Sequence, residues 1–253
     1  METFLGARGT GAPPALGLWS TLSEPLVLEA MAAAGPDYVC IDMQHGTATE
    51  AQLVSLVQAV AVGGSTPVVR VPDLRPAAIM KALDAGAHGI IVPLVETAEE
   101  AARVVAACRY PPYGSRSFGP FRASLVQATS DPRALERVAA VVMVETGRGI
   151  ENLEAIVATE GVTAVYLGPS DLSLALGLPP GSVDAPEFRA LVERVLALCA
   201  RHGVVAGMHC YDGAGASRAI AQGFGMVTVA ADLGSLRQAV AAELATARRP
   251  VAG

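Results

Sequence analysis

The fold class predicted by this sequence is α/β, a (β/α)8 barrel in one domain, and three observations predict it. Short apolar runs rich in β-branched residues alternate with Ala-rich stretches of helical spacing along the whole chain. The apolar runs are hydrophobic almost continuously, as parallel strands covered on both faces are. Eight such pairs follow in order, each with a crossover long enough to return the chain to a parallel strand. A length of 253 residues suits one such barrel.

In order, strands are expected near 15–19, 37–42, 66–71, 88–92, 139–144, 163–167, 204–208 and 225–230. Helices are expected near 24–34, 49–62, 75–84, 97–107, 148–158, 187–201, 213–222 and 233–246. Thr49 ahead of Glu50, Thr97 ahead of Glu99 and Glu100, and Asp232 ahead of Leu233 read as helix starts. Gly35, Gly86 and Gly203 read as left-handed caps past helix ends. An open doubly wound sheet is the alternative, but the GxGxxG fingerprint is absent after the first strand. Two segments exceed ordinary connections, 108–130 and 172–186, and long loops of this kind are often lids or partner contacts. No repeat, low-complexity tract or linker divides residues 1–253.

With 52% hydrophobic and 17% charged residues, the chain can bury a large core, which excludes a disordered protein. A net charge of −6 argues against a nucleic-acid partner or a polybasic membrane contact. The uncharged run Ala51–Val69 is broken by Gln58, Gly63, Gly64 and Pro67, so it reads as helix, turn and strand and not as a membrane span. Residues 1–15 lack the apolar core of a secretory leader. Cys40, Cys108, Cys199 and Cys210 show no CxxC spacing and read as free thiols in a reducing cytoplasm.

In a barrel the chemistry sits where the strands end. Trp19, Asp42 with His45, Arg70, Glu145, Asp171, His209 and Asp232 all fall at strand carboxyl ends. Glu145 and Asp171 each follow an apolar strand by a turn. Two carboxylates at one end of neighbouring parallel strands make a site for a hard cation such as magnesium, manganese or cobalt, which takes oxygen ligands and leaves positions open. Each polar residue also has a plainer reading: Arg70 as a structural ion-pair partner, His45 as a loop histidine, Trp19 as packing or a pocket wall. His88 and His202 read as a packed and a surface histidine, and His209 sits at the correct rim. Gly213 and Gly215 resemble a phosphate cradle only weakly. Asp84 falls near the end of the third helix, at the opposite rim.

Several motifs in order resemble one family. They are Gly17–Thr21 (GLWST), Asp37–Gly46 (DYVCIDMQHG), Val68–Pro72 (VVRVP), Leu83–Pro93 (LDAGAHGIIVP), Pro111–Arg116 (PPYGSR), Val144–Gly147 (VETG) and Gly168–Ser173 (GPSDLS). Nearly end to end, the chain resembles the HpcH/HpaI aldolases, metal-dependent (class II) pyruvate aldolases of the phosphoenolpyruvate/pyruvate barrel superfamily. The resemblance implies that Glu145 and Asp171 bind the divalent metal. It implies that His45 is the catalytic histidine with Asp84 as its carboxylate partner, and that Arg70 contacts pyruvate's oxo group. Backbone amides at Ser170 and Asp171, beside Gly168, would hold the pyruvate carboxylate, and Trp19 would line the substrate pocket. Gln44 stands where many members carry an acidic residue, and Met143 where many carry glutamine, so a hydrogen-bonding neighbour of the metal site is lost.

The activity implied is reversible cleavage of a 4-hydroxy-2-oxo acid to pyruvate and an aldehyde. Carbanion stabilisation needs a Schiff-base lysine or a metal. The single lysine, Lys81, lies inside the third helix and away from the strand ends. Succinic semialdehyde, lactaldehyde and glyoxylate all remain open as the aldehyde. The rival readings are an acyl-CoA lyase of the citrate/malyl-CoA type and a non-catalytic oligomeric barrel. The family resemblance further implies a homohexamer, a trimer of dimers. The loop Tyr113–Arg122 and the C-terminal helix are the expected subunit contacts, and that helix is a candidate for exchange between subunits.

Overall fold

The computed structural model describes residues 3–6 and 13–249; residues 1, 2 and 7–12, where the leader reading partly falls, and 250–253 lie outside them. The chain begins β1 (Ala15–Ser20), α1 (Pro25–Ala33), β2 (Tyr38–Asp42), α2 (Leu53–Val62), β3 (Thr66–Arg70), α3 (Pro76–Asp84) and β4 (Gly89–Val92). It continues α4 (Ala98–Cys108), α5 (Phe121–Gln127), α6 (Pro132–Leu135), β5 (Ala139–Met143), α7 (Gly147–Glu151), α8 (Leu153–Val157) and β6 (Ala164–Leu167). It ends α9 (Pro169–Ala175), α10 (Pro186–His202), β7 (Val205–His209), α11 (Gly213–Gln222), β8 (Met226–Ala231) and α12 (Asp232–Ala247). The eight strands are all parallel and pair in sequence order, and β8 returns to β1 to close a barrel.

All eight expected strands are present to within a residue or two, because most of them are buried on both faces and their sequences say so. The helices differ where side chains compete with the backbone. The expected helix 148–158 breaks at Asn152, whose side-chain amide donates to the Glu96 carbonyl at 2.9 Å. The second helix begins at Leu53 and not at Thr49, since both the amide and hydroxyl of Thr49 donate to Gln52 Oε1 in a preceding turn. Thr97 caps α4 as expected, accepting from the Glu100 amide. Gly35, Gly86 and Gly203 all have positive φ. The segment 108–130 contains α5, and the start of 172–186 is helical because Pro169 opens α9.

Alternate residues of each strand fill the barrel interior, including Tyr38, Cys40, Val68, Ile91, Val141, Tyr166 and Met226, while the other set packs beneath the helices. At mid-height, Thr228 Oγ1 bonds the hydroxyls of Tyr38 (3.0 Å) and Tyr166 (2.6 Å). Two large rings fit there only because β1 and β7 carry glycine opposite them. A Cβ on Gly17 would lie 2.0 Å from the Tyr38 ring, and one on Gly207 2.4 Å from the Tyr166 ring. At the mouth, the Asp232 carboxylate accepts from the Ser20 and Thr21 hydroxyls and the Thr21 and Leu22 amides, locking the seam between β8 and β1.

One element stands apart. Every described residue of α12 and its end from Leu233 to Arg249 is exposed, and Leu233, Leu236, Val240 and Leu244 form one apolar stripe along it. Tyr113, Phe118, Phe121 and Leu125 are also exposed, around α5. Among the described residues no helix is long and apolar enough to cross a membrane.

Gly17→Ala is expected to destabilise the protein by about 1–3 kcal/mol or more through overpacking against Tyr38. Urea denaturation checks this, and a midpoint equal to that of the parent protein would refute it.

Candidate active site

The strand-end residues converge. Trp19, Asp42, His45, Arg70, Glu145 and Asp171 line one cavity of about 240 Å3 at the carboxyl ends of the strands. A cavity of about 280 Å3 opens at the other end of the barrel near Arg109 and Glu136, but it holds no residue from a strand carboxyl end.

Barrel register builds the first half of the site. Asp42 and Arg70 end β2 and β3 as direct Cα partners, both facing inward. The Arg70 Nε donates to Asp42 Oδ1 at 2.8 Å and its Nη2 to Oδ2 at 2.5 Å. Trp19 Nε1 donates to the same carboxylate at 3.2 Å, and the Arg70 guanidinium lies 4.9 Å from the Trp19 ring centroid. Burial alone would raise the Asp42 carboxyl, yet the Arg70 bonds and charge, with Trp19 and the Gln44 amide, hold it below its ordinary value. The plain reading of Arg70 as an ion-pair partner therefore holds. Asp42 engages only part of its five-donor fork, and the rest remains available to the cavity.

The second half is acidic. Glu145 lies just past β5 and is only 3% exposed. Its Oε1 accepts from the Leu94 amide at 3.0 Å, while its buried Oε2 has no hydrogen-bond partner among the described residues. Burial, opposed by the Leu94 amide and reinforced by the Asp171 charge, pushes the Glu145 carboxyl up to about 7. Asp171 enters from the first turn of α9. The Ser170 and Asp171 amides precede the first intrahelical bond there, Leu172 N–H to the Gly168 carbonyl (3.1 Å), and so are not consumed by the helix. Gly168 keeps the approach to Glu145 open, since a Cβ there would lie 2.7 Å from Oε2. An orphaned buried carboxylate oxygen, a second carboxylate and few other ligands suit a hard divalent cation that keeps several positions for water or substrate oxygens. Glu145 and Asp171 are the pair that could hold it. Among the described residues no group of three or more His, Cys, Asp or Glu converges as a fuller ligand set.

The remaining expected residues separate. His45 is exposed at the mouth, its backbone amide donating to Asp42 Oδ1 at 3.3 Å. Asp84 is not brought to His45 within the chain. It ends α3 at the opposite rim, where the buried Arg116 donates to it at 2.8 Å. Helix geometry places it there, because a barrel helix runs back against its strands and finishes at their amino ends. Ser170 Oγ is paired with the Tyr211 hydroxyl at 2.7 Å. Lys81 is exposed on α3, within 3.6 Å of Glu50. Sequence reasoning gave Asp42 and Tyr211 no role. The signal for Asp42 was available: it is the third inward position of β2 after Tyr38 and Cys40, and a carboxylate there requires a partner.

A Glu145 carboxyl at about 7 in the folded chain and 4.5 as its ordinary value means that the folded protein binds this proton more tightly than the unfolded one. The penalty is absent below pH 4.5, grows through pH 4.5–7 and is complete above it. In chelator-treated protein, Glu145→Gln is therefore expected to gain up to about 3 kcal/mol over the parent at pH 8, with the gap closing by pH 5. A gap that does not vary with pH in denaturant titrations would contradict the assignment.

Comparison with known proteins identifies the family. Residues 15–239 match the HpcH/HpaI aldolase/citrate lyase family. The chain is 36% identical over 225 residues, 88% of each chain, to the 5-keto-4-deoxy-D-glucarate aldolase of Salmonella paratyphi A. A crystal structure of an HpcH/HpaI aldolase/citrate lyase family protein from Burkholderia cenocepacia J2315 superposes with a TM-score of 0.86 at 35% identity, covering 95% of this chain and 96% of that one. The HpcH/HpaI aldolase of Desulfitobacterium hafniense DCB-2 gives 0.86 at 27% identity, covering 94% of each chain. With its barrel, its strand-end cavity and these relatives, the chain belongs to the HpcH/HpaI aldolase/citrate lyase family and is a lyase.

Proposed function

We propose that the protein is a divalent-metal-dependent pyruvate aldolase, cleaving a 4-hydroxy-2-oxo acid reversibly to pyruvate and an aldehyde. The observation that carries this is the partnerless buried oxygen of Glu145, in one small cavity with Asp171 and Arg70. Among the relatives, the Salmonella protein's name supplies a substrate of this chemical class, a 4-deoxy-5-keto sugar acid.

Glu145 and Asp171 would hold magnesium, manganese or cobalt, which supplies Lewis-acid polarisation of the 2-oxo group when bound. The amides of Ser170 and Asp171 receive the pyruvate carboxylate at the start of α9, and Trp19 walls the pocket. His45, acting through water at the open mouth, takes the proton from the C4 hydroxyl. As that O–H becomes a carbonyl, the C3–C4 bond breaks and its electron pair moves onto C3 and the 2-oxo oxygen. Arg70, already oriented by Asp42 and Trp19, offers its free N–H groups to that growing negative charge, so no reorganisation is needed as the charge develops. Protonation at C3 then gives pyruvate. Lysine Schiff-base chemistry is not available from Lys81, which is outside the cavity.

The exposed apolar stripe of α12 and the aromatic surface around α5 support a homo-oligomer, read here as a hexamer built from three dimers with α12 exchanged between subunits. Four buried free cysteines fit a reducing cytoplasm.

Deuterium exchange into the pyruvate methyl group tests the reading without a choice of aldehyde. Exchange is expected with manganese, is lost with chelator, and slows by about 10²–10³-fold in Arg70→Ala. Exchange unaffected by chelator would sink the metal assignment. His45→Ala is expected to slow cleavage by about 10²–10⁴-fold while manganese still binds, as followed by calorimetry. Loss of manganese binding in that variant would remove His45 from the role of base.

A further inference from the structure

Met143 has no part in the chemistry just described, yet it borders the carboxylate on which that chemistry depends. It ends β5 with its side chain among the residues of the barrel interior, 2% exposed, and it lines the same cavity as Glu145 and Asp171. Glu145 follows two residues later, and the alternation of an extended chain brings both side chains to one side. The two meet over Gly168: a Cβ there would lie 2.7 Å from Glu145 Oε2 and 3.1 Å from the Met143 methyl carbon. The methyl group therefore stands beside the carboxylate oxygen that has no hydrogen-bond partner among the described residues. Gly168 and Pro169, on the same stretch of wall, add no side-chain donor or acceptor, and their carbonyls are engaged by the Leu172 amide and the Ser173 hydroxyl.

A cation held by only two carboxylates takes its other ligands from water and substrate. The waters it keeps are strong donors, and outer partners of a metal site commonly change its affinity by about 10–100-fold. Divalent ions differ in how far they depend on such partners. Magnesium gives up water reluctantly and keeps several. Manganese sheds water more readily and is equally suited to carboxylate oxygens. A methyl group beside the binding oxygen accepts nothing from those waters and occupies space that one of them would need, so it penalises magnesium more than manganese.

We infer that Met143 is the metal-specificity residue of the site: its apolar end makes the protein select manganese over magnesium. This rests on the reading of Glu145 and Asp171 as the cation's ligands and adds to it which cation the chain selects.

Calorimetric titration of the full, chelator-treated chain with manganese chloride and with magnesium chloride, in the absence of pyruvate, gives a dissociation constant for each ion. The ratio of the magnesium constant to the manganese constant is compared between proteins, so that intrinsic differences between the ions cancel. Met143→Gln, similar in length but able to accept a hydrogen bond, is expected to lower that ratio about tenfold. Met143→Leu, apolar and of similar volume, is expected to keep it. Where Met143→Gln gives no folded protein, Met143→Thr repeats the test with a shorter acceptor on the same wall. A ratio unchanged by the polar variant overturns the inference. So does a ratio that falls equally in Met143→Leu, which would assign the effect to the sulfur or to packing. Failure of the parent to bind either ion, or binding that persists undiminished in Glu145→Ala, overturns the metal reading itself. Binding that is lost in Glu145→Ala, with a ratio that Met143→Gln leaves unchanged, overturns the Met143 assignment alone.

Discussion

The bidentate bond between Asp42 and Arg70 is the constraint on which the site depends. A buried ion pair of this kind contributes little net stability, because taking both charges out of water costs about as much as their attraction returns. Its consequence is geometric. With two of its nitrogens bound to one carboxylate and its plane near the Trp19 ring, the guanidinium has a fixed direction before any ligand arrives. The pair in turn depends on closure of the sheet. Asp42 and Arg70 are neighbours because β2 and β3 pair in register, and Trp19 reaches them because β1 is pinned between β2 and β8. The glycines facing Tyr38 and Tyr166 let the interior close tightly below this layer, and Asp232 fastens the seam above it. Fold and site are therefore one packing problem, in which the functional layer is the top layer of the core.

Across the cavity the charge balance is reversed. Asp42 has a cation bonded to it and titrates low, whereas Glu145 is equally buried, has only an amide for company, and titrates high. Two carboxylates in one cavity thus have different surroundings: one orients an arginine, the other is left without a counter-charge. Met143 sharpens the contrast. Its methyl end lies close to Gly168, and an apolar side chain there offers Glu145 no hydrogen bond, so no described residue relieves the orphaned oxygen. Methionine, where the resemblance implies glutamine, thus leaves without a hydrogen bond the carboxylate proposed to hold the cation.

The barrel was legible because its strands are double-sided. Runs such as those around Val141 and Val165 have no polar face to mislead, and each ends in a turn that places a carboxylate at the mouth. Helix breaks were less legible. Asn152 ends a helix by bonding across to Glu96, a contact between segments 56 residues apart that no local pattern records. Pro169, by contrast, was a readable start for α9 that the length of the following loop obscured. Asp42 was visible as a rim residue, but its role required knowing which residue lies opposite in the next strand.

Asp84 shows the limit of carrying a role from a resemblance onto a single chain. Its position at the end of α3 follows from barrel geometry alone, and its carboxylate there satisfies Arg116, a fully buried cation that also lies over the Tyr110 ring. Removing Asp84 would leave that guanidinium short of a counter-charge in the interior, so the residue has a structural reason to be acidic whatever its relation to His45. The same segment carries Phe118 and Phe121 outward into solvent. Arg116 and Asp84 therefore brace, from inside, the base of the apolar surface that the proposed assembly would cover. A functional role and a bracing role at this position would be read from the same sequence letter, and only the contact made by the carboxylate distinguishes them.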